Sequence, residues 1–284
     1  MNDAVLPHLR CPNCTSGLAA EGARGPLRCA RGHSFDIARQ GYATLTAGRT
    51  PHVGDSAEMV ADRERFLAAG HYRFIAAALA SAALASAALA SAARHTTPGL
   101  VVDAGTGTGY YLAQVLDELP DAVGLGLDVS KAALRRAARV HPRADAALAD
   151  LWRPLPLADA SASLILDVFA PRNAAEFHRV LRPDGSLLVV TPATDHLAEL
   201  VADFGLIRVD PDKGDRVADS LGEHFTAVAS TNHRHRLRLD GAEVRTLIGM
   251  TPSARHVSLT EFRACDVTAA VDLTVYRPGP RDRG

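Results

Sequence analysis

Three cysteines and one histidine near the start of the chain have the types and spacing of a metal site. Two residues separate Cys11 from Cys14, three separate Cys29 from His33, and fourteen lie between the two pairs. Zinc prefers four thiolate or imidazole ligands in a tetrahedron, and two tight turns can supply two ligands each. Because four protein ligands leave no open position on the metal, the pattern predicts a structural zinc site.

The segment between the two pairs is LAAEGARGPLR. It contains Gly-Pro, which is typical of turns, and so predicts a short hairpin. About thirty residues bury little core, so a metal would supply the folding free energy of this region. Two alternatives to zinc are a redox Cys-x2-Cys motif, which needs a βαβ context that is absent here, and fortuitous spacing. The fourth cysteine, Cys265, is expected to be a small core residue of a distant strand.

A second chemical signal is the glycine-rich stretch GLVVDAGTGTG at residues 99–109. An apolar strand leads into a turn built from Gly105, Thr106, Gly107 and Gly109, and a helix follows. Such glycines let the backbone approach a ligand and expose N–H groups at a helix start. Dinucleotide sites share this feature, but a G-x-G-x-x-G spacing is more usual there. An acidic residue, Asp103, precedes this loop, which resembles the loop of AdoMet-dependent methyltransferases.

Acidic residues stand at the ends of three successive predicted strands. Asp103 ends the first, Asp128 ends the second twenty-five residues later, and Asp150 ends the third. Since ligands of open α/β sheets lie outside the carboxyl ends of the strands, these carboxylates should meet at one edge. We expect the Asp128 carboxylate to accept hydrogen bonds from the ribose hydroxyls of AdoMet. We expect Asp150 to contact the adenine amine, with Leu151 beside it.

The elements that must position these residues alternate as strands and helices from residue 99 onward. The order βαβαβαβαβ predicts a Rossmann-like α/β domain with a parallel sheet. We divide the chain into a zinc-binding domain at 1–38, a helical connector at 39–98 and a methyltransferase domain at 99–284. The connector contains a predicted helix within 54–70 and the repeat LASAALASAALASAA, which we expect to be a loosely packed helix.

Composition narrows the class of protein further. The chain has 284 residues, of which 47% are hydrophobic and 22% charged, and this balance excludes wholesale disorder. Its net charge of −1 excludes a generally basic nucleic-acid binder, so any RNA contact must use a local patch. We find no secretory signal, and the alanine-rich stretch is too weakly hydrophobic to predict a membrane span. The sequence therefore indicates a cytoplasmic protein without a membrane partner.

The whole chain resembles a known enzyme family from Leu9 to Pro278. After the Cys-x2-Cys…Cys-x3-His pattern come, in order, GLDVSKAALRRAAR, VFAPRN, LRPDGSLLVVTP, DHLAEL and MTPS. This series is similar to the 23S rRNA (guanine-N1)-methyltransferases, in particular their Gram-positive branch, which includes the tylosin-resistance methyltransferase. The resemblance implies AdoMet and Zn²⁺ as cofactors, a zinc-bearing RNA-recognition domain, and a homodimer whose cleft takes a 23S rRNA hairpin.

The chain departs from that family in two places. The alanine-serine repeat is not among the family's motifs. In MTPSARH the family usually has Trp near the position of Arg255. If that Trp holds RNA, Arg255 would replace it by stacking its guanidinium plane on a base.

The implied reaction needs an accessible guanine and a way to remove its proton. Guanine N1 lies on the Watson–Crick edge, so the base must be unpaired or flipped out. Asp167, at the end of the fourth strand, is our first candidate for the general base, and His196 and then Asp195 follow it. Asp167 serves equally well as a residue that orients its loop. Phe169 is a candidate to stack on the guanine, or else a core residue.

Three groups of arginines are candidates for RNA phosphate contacts. The first surrounds the zinc ligands and consists of Arg10, Arg24, Arg28, Arg31 and Arg39. The second is the alternating stripe Arg234, Arg236 and Arg238, which would share one face of a strand. The third is Arg172, beside the expected methyl-transfer centre. A solvated edge strand is the alternative reading of the stripe.

The leading hypothesis is methylation of guanine N1 in a hairpin loop of 23S rRNA, with macrolide resistance as its biological effect. Two rivals remain open at this point. One is a small-molecule methyltransferase of a biosynthetic pathway, against which the zinc motif argues. The other is an AdoMet-binding rRNA assembly factor without catalysis, against which the intact glycine loop and its three acidic partners argue.

Overall fold

The computed structural model describes residues 1–22, 25–48, 51–92, 99–204, 206, 210, 213–251, 254 and 261–281. An eight-stranded sheet in the order β10-β11-β9-β8-β5-β6-β7-β4 forms the centre, and β1-β2-β3 form a small second sheet. The strands are β1 (Leu18–Ala20), β2 (Leu27–Cys29), β3 (Ser34–Phe35), β4 (Ala43–Thr44), β5 (Leu100–Ala104), β6 (Val123–Asp128), β7 (Ala144–Leu148), β8 (Ala162–Val168), β9 (Leu181–Pro192), β10 (Phe225–Leu239) and β11 (Cys265–Pro278). The helices are α1 (Ala57–Ala68), α2 (Arg73–Ala92), α3 (Tyr110–Glu118), α4 (Lys131–Ala137), α5 (Ala174–Val180), α6 (Ala198–Phe204), α7 (Lys213–Gly222) and α8 (Gly241–Gly249).

The middle of the large sheet is parallel and buried on both faces. All five residues of β5 are buried, which explains why this strand reads as a continuous apolar run. In the register, Ala104 lies opposite Leu127 of β6 and Asp167 of β8, so these strands end at one common edge. The Rossmann-like α/β class predicted from the alternation of elements is therefore confirmed.

Helices cover the two faces of this sheet with two separate cores. One core combines side chains of α2, α3 and α8 with the sheet, and includes Leu79, Leu116 and Leu247. The other combines α5 and α7 with the sheet and with the N-terminal module, and includes Phe177 and Leu27.

The N-terminal module folds as the predicted hairpin and docks directly on the large sheet. Strands β1 and β2 pair antiparallel, and β3 pairs with β2. The backbone N–H of Arg10 donates to the carbonyl of Pro156 at 2.9 Å, and that of Ala158 donates to the carbonyl of His8 at 2.8 Å. These contacts fix the module against the segment that follows β7.

The segment at 39–98 contains both expected helices and an element that the sequence did not reveal. Helix α1 begins after Ser56, whose hydroxyl caps the backbone N–H of Met59. Residues 43–44 form β4, which pairs parallel with β7 at the edge of the large sheet. Two residues are too few for a periodic signal, so the sequence indicated only a helical connector here.

Helix α2 packs on the core along one side. Ile75, Leu79 and Ala83 are buried in the core shared with α3 and β9, but only 28% of the window Arg73–Ala90 is buried, so the loose packing predicted for the repeat is not contradicted. Leu84 and Leu89 remain 49% and 64% exposed, because a five-residue step does not keep leucines on one helix face.

Helix α2 also bears on the membrane prediction. By length and composition alone, its window Arg73–Ala90 is apolar enough to cross a bilayer, and 28% of that window is buried in the protein. Core helices of soluble proteins pass the same test, and α2 contacts α3 and the sheet along one side.

The C-terminal part of the large sheet is antiparallel. Strand β11 pairs with β9 and β10, which leaves the long β10 as an edge strand. Cys265, expected to be a small core residue, is half-buried at the start of β11 and packs against the core that includes α2, α3 and α8.

Candidate functional site

The four predicted metal ligands meet in one cluster. The Sγ atoms of Cys14 and Cys29 lie 3.6 Å apart. His33 Nδ1 lies 3.5 Å from the Sγ of Cys11 and 3.4 Å from that of Cys29, and the four ligand atoms all fall within 4.8 Å of one another. Tetrahedral zinc with ordinary bond lengths separates two thiolates by about 3.8 Å, and a thiolate from an imidazole nitrogen by about 3.5 Å. The donor set and its spacing therefore fit zinc.

Two turns hold these ligands in place. The backbone N–H of Cys14 donates to the carbonyl of Cys11 at 3.3 Å, and that of Gly32 donates to the carbonyl of Cys29 at 2.9 Å. Gly32 has φ +84°, a conformation that glycine adopts without strain. Hydrogen bonding with Ser16 lowers the pKa of the Cys14 thiol to about 6, which favours the thiolate that a metal needs.

The glycine loop forms a narrow cradle between β5 and α3. Gly105 has φ +76°, and a Cβ atom on it would lie 2.5 Å from the Cβ of Ala170. Gly109, with φ +82°, is the N-cap residue of α3. The backbone N–H groups of Gly105 and Thr106 donate to the carbonyl of Leu127, which ties the loop to β6. The glycines thus let the loop pack closely on its neighbours at the N-terminus of α3, where backbone N–H groups can face a ligand.

Asp103 lies beneath this loop and does not point outward. It is 1% exposed, and its Oδ2 accepts a hydrogen bond from the Thr106 hydroxyl at 2.7 Å. Burial raises the pKa of the Asp103 carboxyl to about 7, although the Thr106 hydrogen bond opposes this shift. A cationic ligand above the loop would favour the ionised form.

Asp128 bridges the loop to the start of α4. Its Oδ2 accepts from the backbone N–H of Gly107 at 2.8 Å, and its Oδ1 accepts from that of Ser130 at 2.7 Å. Burial raises the pKa of Asp128, while the two backbone hydrogen bonds lower it. Each carboxylate oxygen keeps a further lone pair, so this residue fits the ribose-binding role that we predict.

Asp150 lies two residues beyond β7 and already has partners. Its Oδ1 accepts from the backbone N–H of Trp152 at 3.1 Å, and its Oδ2 lies 2.9 Å from Nδ1 of His52. Leu151 is buried beside it and lies 3.9 Å from the position of a Cβ on Gly105. His52 therefore stands beside the carboxylate that we expect to contact adenine.

Asp167 is fully buried at the end of β8. Arg172 Nε lies 3.3 Å from its Oδ1, and the Arg172 side chain is itself only 14% exposed. This pair joins the strand to the loop that follows it. The burial of Asp167 favours the loop-orienting role over the role of general base.

Phe169 and His196 meet at the open edge of the sheet. Phe169 has φ +56° and is 41% exposed, and its ring centroid lies 6.0 Å from that of His196. Nδ1 of His196 accepts the backbone N–H of Ala270 at 3.2 Å, and its Nε2 lies 3.4 Å from the buried Tyr72 hydroxyl. A neutral imidazole that accepts at Nδ1 carries its proton on Nε2. Burial raises the pKa of Tyr72, so this phenol stays protonated.

The sequence analysis did not predict that residues 54–70 fold over the cofactor edge of the sheet. Arg63 Nη1 lies 2.5 Å from Asp55 Oδ2 and 3.4 Å from the position of a Cβ on Gly107. The hydroxyl of Ser130 donates to the carbonyl of Asp55 at 2.8 Å. The sequence predicts a helix within 54–70, but no local pattern shows that Arg63 reaches the glycine loop.

The arginines chosen from the sequence differ in their surroundings. Arg28 pairs with Glu21 at 3.2 Å, whereas Arg31 and Arg39 are exposed. Arg24 and Arg255 lie outside the described residues. The Arg10 guanidinium donates to the carbonyls of Pro7 and Leu9.

The predicted arginine stripe shares one face of the edge strand β10. Arg236 and Arg238 are exposed and both lie near Asp266, at 3.4 and 3.6 Å. Arg234 Nη1 lies 2.6 Å from Oδ2 of Asp195. Asp195 is therefore engaged in an ion pair with Arg234. Because Asp195 precedes His196 in the chain, this end of the arginine stripe lies beside His196.

Family comparisons match both parts of the chain. Residues 101–185 match the family described as a methyltransferase domain, and residues 9–46 match the zinc-ribbon family described as RlmA, N-terminal. The second match confirms a zinc-binding domain at the start of the chain and extends past residue 38.

Whole-chain relatives cover nearly all of the sequence. A 23S rRNA (guanine(748)-N(1))-methyltransferase of Streptomyces fradiae is 46% identical over 99% of this chain and 100% of its own length. A relative from Micromonospora griseorubida, also named for 23S rRNA (guanine-N(1)) methylation, is 56% identical over 98% of this chain and 100% of its own. A chain from the complex of the Haloferax volcanii Trm112 methyltransferase activator with a methyltransferase has a TM-score of 0.51 at 18% identity. It covers 81% of this chain and 100% of that one, and supports the fold alone.

Proposed function

The chain belongs to the family of 23S rRNA (guanine-N1)-methyltransferases, and on this basis we propose that it methylates N1 of a guanine in a hairpin loop of 23S rRNA. The likeness to relatives of that activity over 98–99% of the chain carries the proposal. Supporting it are the glycine loop and the three carboxylates, which lie at one edge of the sheet. The guanine that the Streptomyces fradiae relative is named for, 748, is the first nucleotide to test.

The cofactor AdoMet supplies an electrophilic methyl group when it is bound. We propose that the Asp128 carboxylate accepts hydrogen bonds from the ribose hydroxyls, and that Asp150 and Leu151 border the adenine. Gly105 and Gly107 keep the backbone of the loop close to the ligand. The Asp103 carboxylate balances the positive charge of the cofactor. These residues act by positioning, which is the main requirement of an in-line displacement.

We propose that the exposed Phe169 ring stacks on the flipped guanine at the mouth of the site. His196 packs beside that ring and holds it in position, because its Nδ1 accepts from Ala270 and its Nε2 faces the Tyr72 hydroxyl. The N1 proton then leaves to water at this open edge. Asp167 serves as a positioning residue that holds the 167–173 loop through Arg172.

The variants Asp167→Asn and His196→Gln test these roles. We expect each to lower the single-turnover methylation rate about tenfold or more without changing the shape of its pH profile. Loss of a pH-dependent limb in either variant would instead identify that residue as the general base.

We also infer that two copies of the chain associate. A groove of about 1450 Å³ between α2 and β10 is lined largely by apolar side chains, and Leu89 and Val228 are 64% and 56% exposed there. An exposed apolar patch beside a long edge strand fits a self-complementary contact. Sedimentation analysis of the wild type and of Leu89→Arg with Val228→Arg tests this: a wild-type monomer contradicts it.

We propose that the zinc module binds and recognises the RNA. We also propose that the protein acts in the cytoplasm, where rRNA is made and modified.

The direct test of the proposed function uses labelled AdoMet and unmodified 23S rRNA, followed by primer extension. A methyl group on N1 blocks the Watson–Crick edge, so reverse transcription should stop at one loop guanine. Resistance to a tylosin-type macrolide in a sensitive host expressing the gene tests the biological effect. AdoMet binding without label in rRNA would overturn the proposal and favour a small-molecule acceptor or a non-catalytic factor.

A further inference from the structure

A second cavity lies beside the glycine loop and carries an unusual concentration of positive charge. Its volume is about 650 Å³, and it opens between α1, α3 and α4. Four arginines line it, together with one carboxylate, Glu64, and the loop residues Thr108 and Tyr110. The four are Arg39, Arg135, Arg136 and Arg139.

Most of this charge has no carboxylate partner among the residues that the structure describes. Arg136 Nε lies 3.4 Å from Oε2 of Glu64. Across the described ranges of the chain, no carboxylate lies within ion-pair distance of Arg39, Arg135 or Arg139, and all three are exposed. Arg135 lies in the last turn of α4 and Arg139 lies two residues beyond its end, and both line the same cavity, where like charges repel. Such a group is stabilised when an anion binds.

The fold places these arginines rigidly with respect to the cofactor loop. A Cβ atom on Gly109 would lie 2.8 Å from Cγ1 of Val140 and 3.1 Å from Cα of Ala137, so the end of α4 packs directly on the loop. Arg39 reaches the same cavity from the segment between β3 and β4, at the border of the N-terminal module. The cavity therefore lies between the border of the N-terminal module and the glycine loop.

Guanidinium groups bind phosphate oxygens through paired N–H donors, and several in one pocket match adjacent phosphodiester groups. We propose that this arginine pocket binds the phosphate backbone of the substrate RNA and so sets the path of the strand between the zinc module and the methyl-transfer edge. The inference rests on the proposed function, since it takes the substrate to be RNA. A free phosphate ion has the same chemistry and is separated from RNA by the experiment.

The test compares the wild type with the double variant Arg135→Ala, Arg139→Ala in binding to a hairpin transcript of 23S rRNA. The slope of log affinity against log salt, between about 50 and 200 mM, reports the number of phosphates neutralised. We expect the double variant to lower the magnitude of that slope by about 1.4, because each lost contact to a single strand removes about 0.7.

The matched control is Arg245→Ala, an exposed arginine on α8 outside the cavity, which should leave the slope unchanged. AdoMet affinity should be the same in all three proteins, which would show that the glycine loop is intact. An unchanged slope in the double variant, with wild-type methylation of rRNA present, overturns the inference and leaves the proposed function standing. Stabilisation of the wild type alone by inorganic phosphate, with equal RNA slopes, assigns the pocket to a free anion and also overturns it. Absence of rRNA methylation by the wild type counts against the proposed function itself.

Discussion

The zinc module and the cofactor edge are both ligand sites, but they are built by opposite means. The four metal ligands fall within residues 11–33 and are brought together by two turns. The cofactor edge gathers side chains from Asp103 to His196, which meet only because five buried strands end at the same edge. A small module gains its stability from its ligand, whereas a site at the edge of a large core exists before the ligand binds.

Removing the metal should therefore have the largest effect on activity, and the loss of structure should be confined to the N-terminal module. We expect Cys29→Ser, or chelation of zinc, to unfold the hairpin and to abolish rRNA methylation, because structural zinc supplies on the order of 10 kcal/mol of folding free energy at neutral pH. Metal analysis, circular dichroism and the methylation assay measure this. AdoMet affinity is the internal control, and a loss of AdoMet binding would mean that the two sites are not independent.

A change at the cofactor edge should have the complementary effect. Asp128→Ala removes the acceptor of two backbone N–H groups and of the proposed ribose contact, so we expect AdoMet to bind about 100-fold more weakly, or about 3 kcal/mol. Calorimetric titration measures the change. Zinc content should stay at that of the wild type, and the exposed Asp121→Asn should behave like the wild type in both measurements.

The raised pKa of Asp103 makes the cofactor edge sensitive to pH. Since the folded-state pKa of about 7 exceeds the ordinary value, the stability contribution of this group falls as pH rises from about 4 to 7. A cationic ligand favours the ionised form, so AdoMet affinity should rise up to about tenfold per pH unit below 7 and level off above it. Calorimetry across this range should show a flat profile for Asp103→Asn, and a persistent slope would assign the dependence to another group.

The smallest effect is expected from the ion pair of the hairpin. Glu21 and Arg28 lie 3.2 Å apart, but their side chains are 52% and 51% exposed. We expect Glu21→Gln to change the free energy of unfolding by less than about 0.5 kcal/mol, because exposed pairs are weak. A larger loss in thermal unfolding would show that the metal does not dominate the stability of this module.

Several parts of the fold and the site followed from local patterns. The hairpin, helix α1 and the apolar strand β5 each depend on residues close together in sequence, and the spacing of Cys11 to His33 sufficed to identify a metal cluster. The short strand β4 was missed, since two residues carry no period and pairing with β7 alone defines them. Which side of α2 packs on the core could not be predicted for a related reason: alanine favours helix but does not indicate which face is buried.

The sequence by itself determined the metal ligands, the glycine loop and the acidic strand ends, because turn spacing and strand length are properties of neighbouring residues. Only the tertiary structure decided what those acids contact. His52 reaches Asp150, Arg172 pairs with Asp167, and Tyr72 stands against His196. Two of these three pairs join residues about 100 or more positions apart, and the third depends on how a buried loop turns back on its strand. The burial of these side chains, and their contacts across long stretches of sequence, arise from the packing of the whole sheet. No local sequence pattern contains that information.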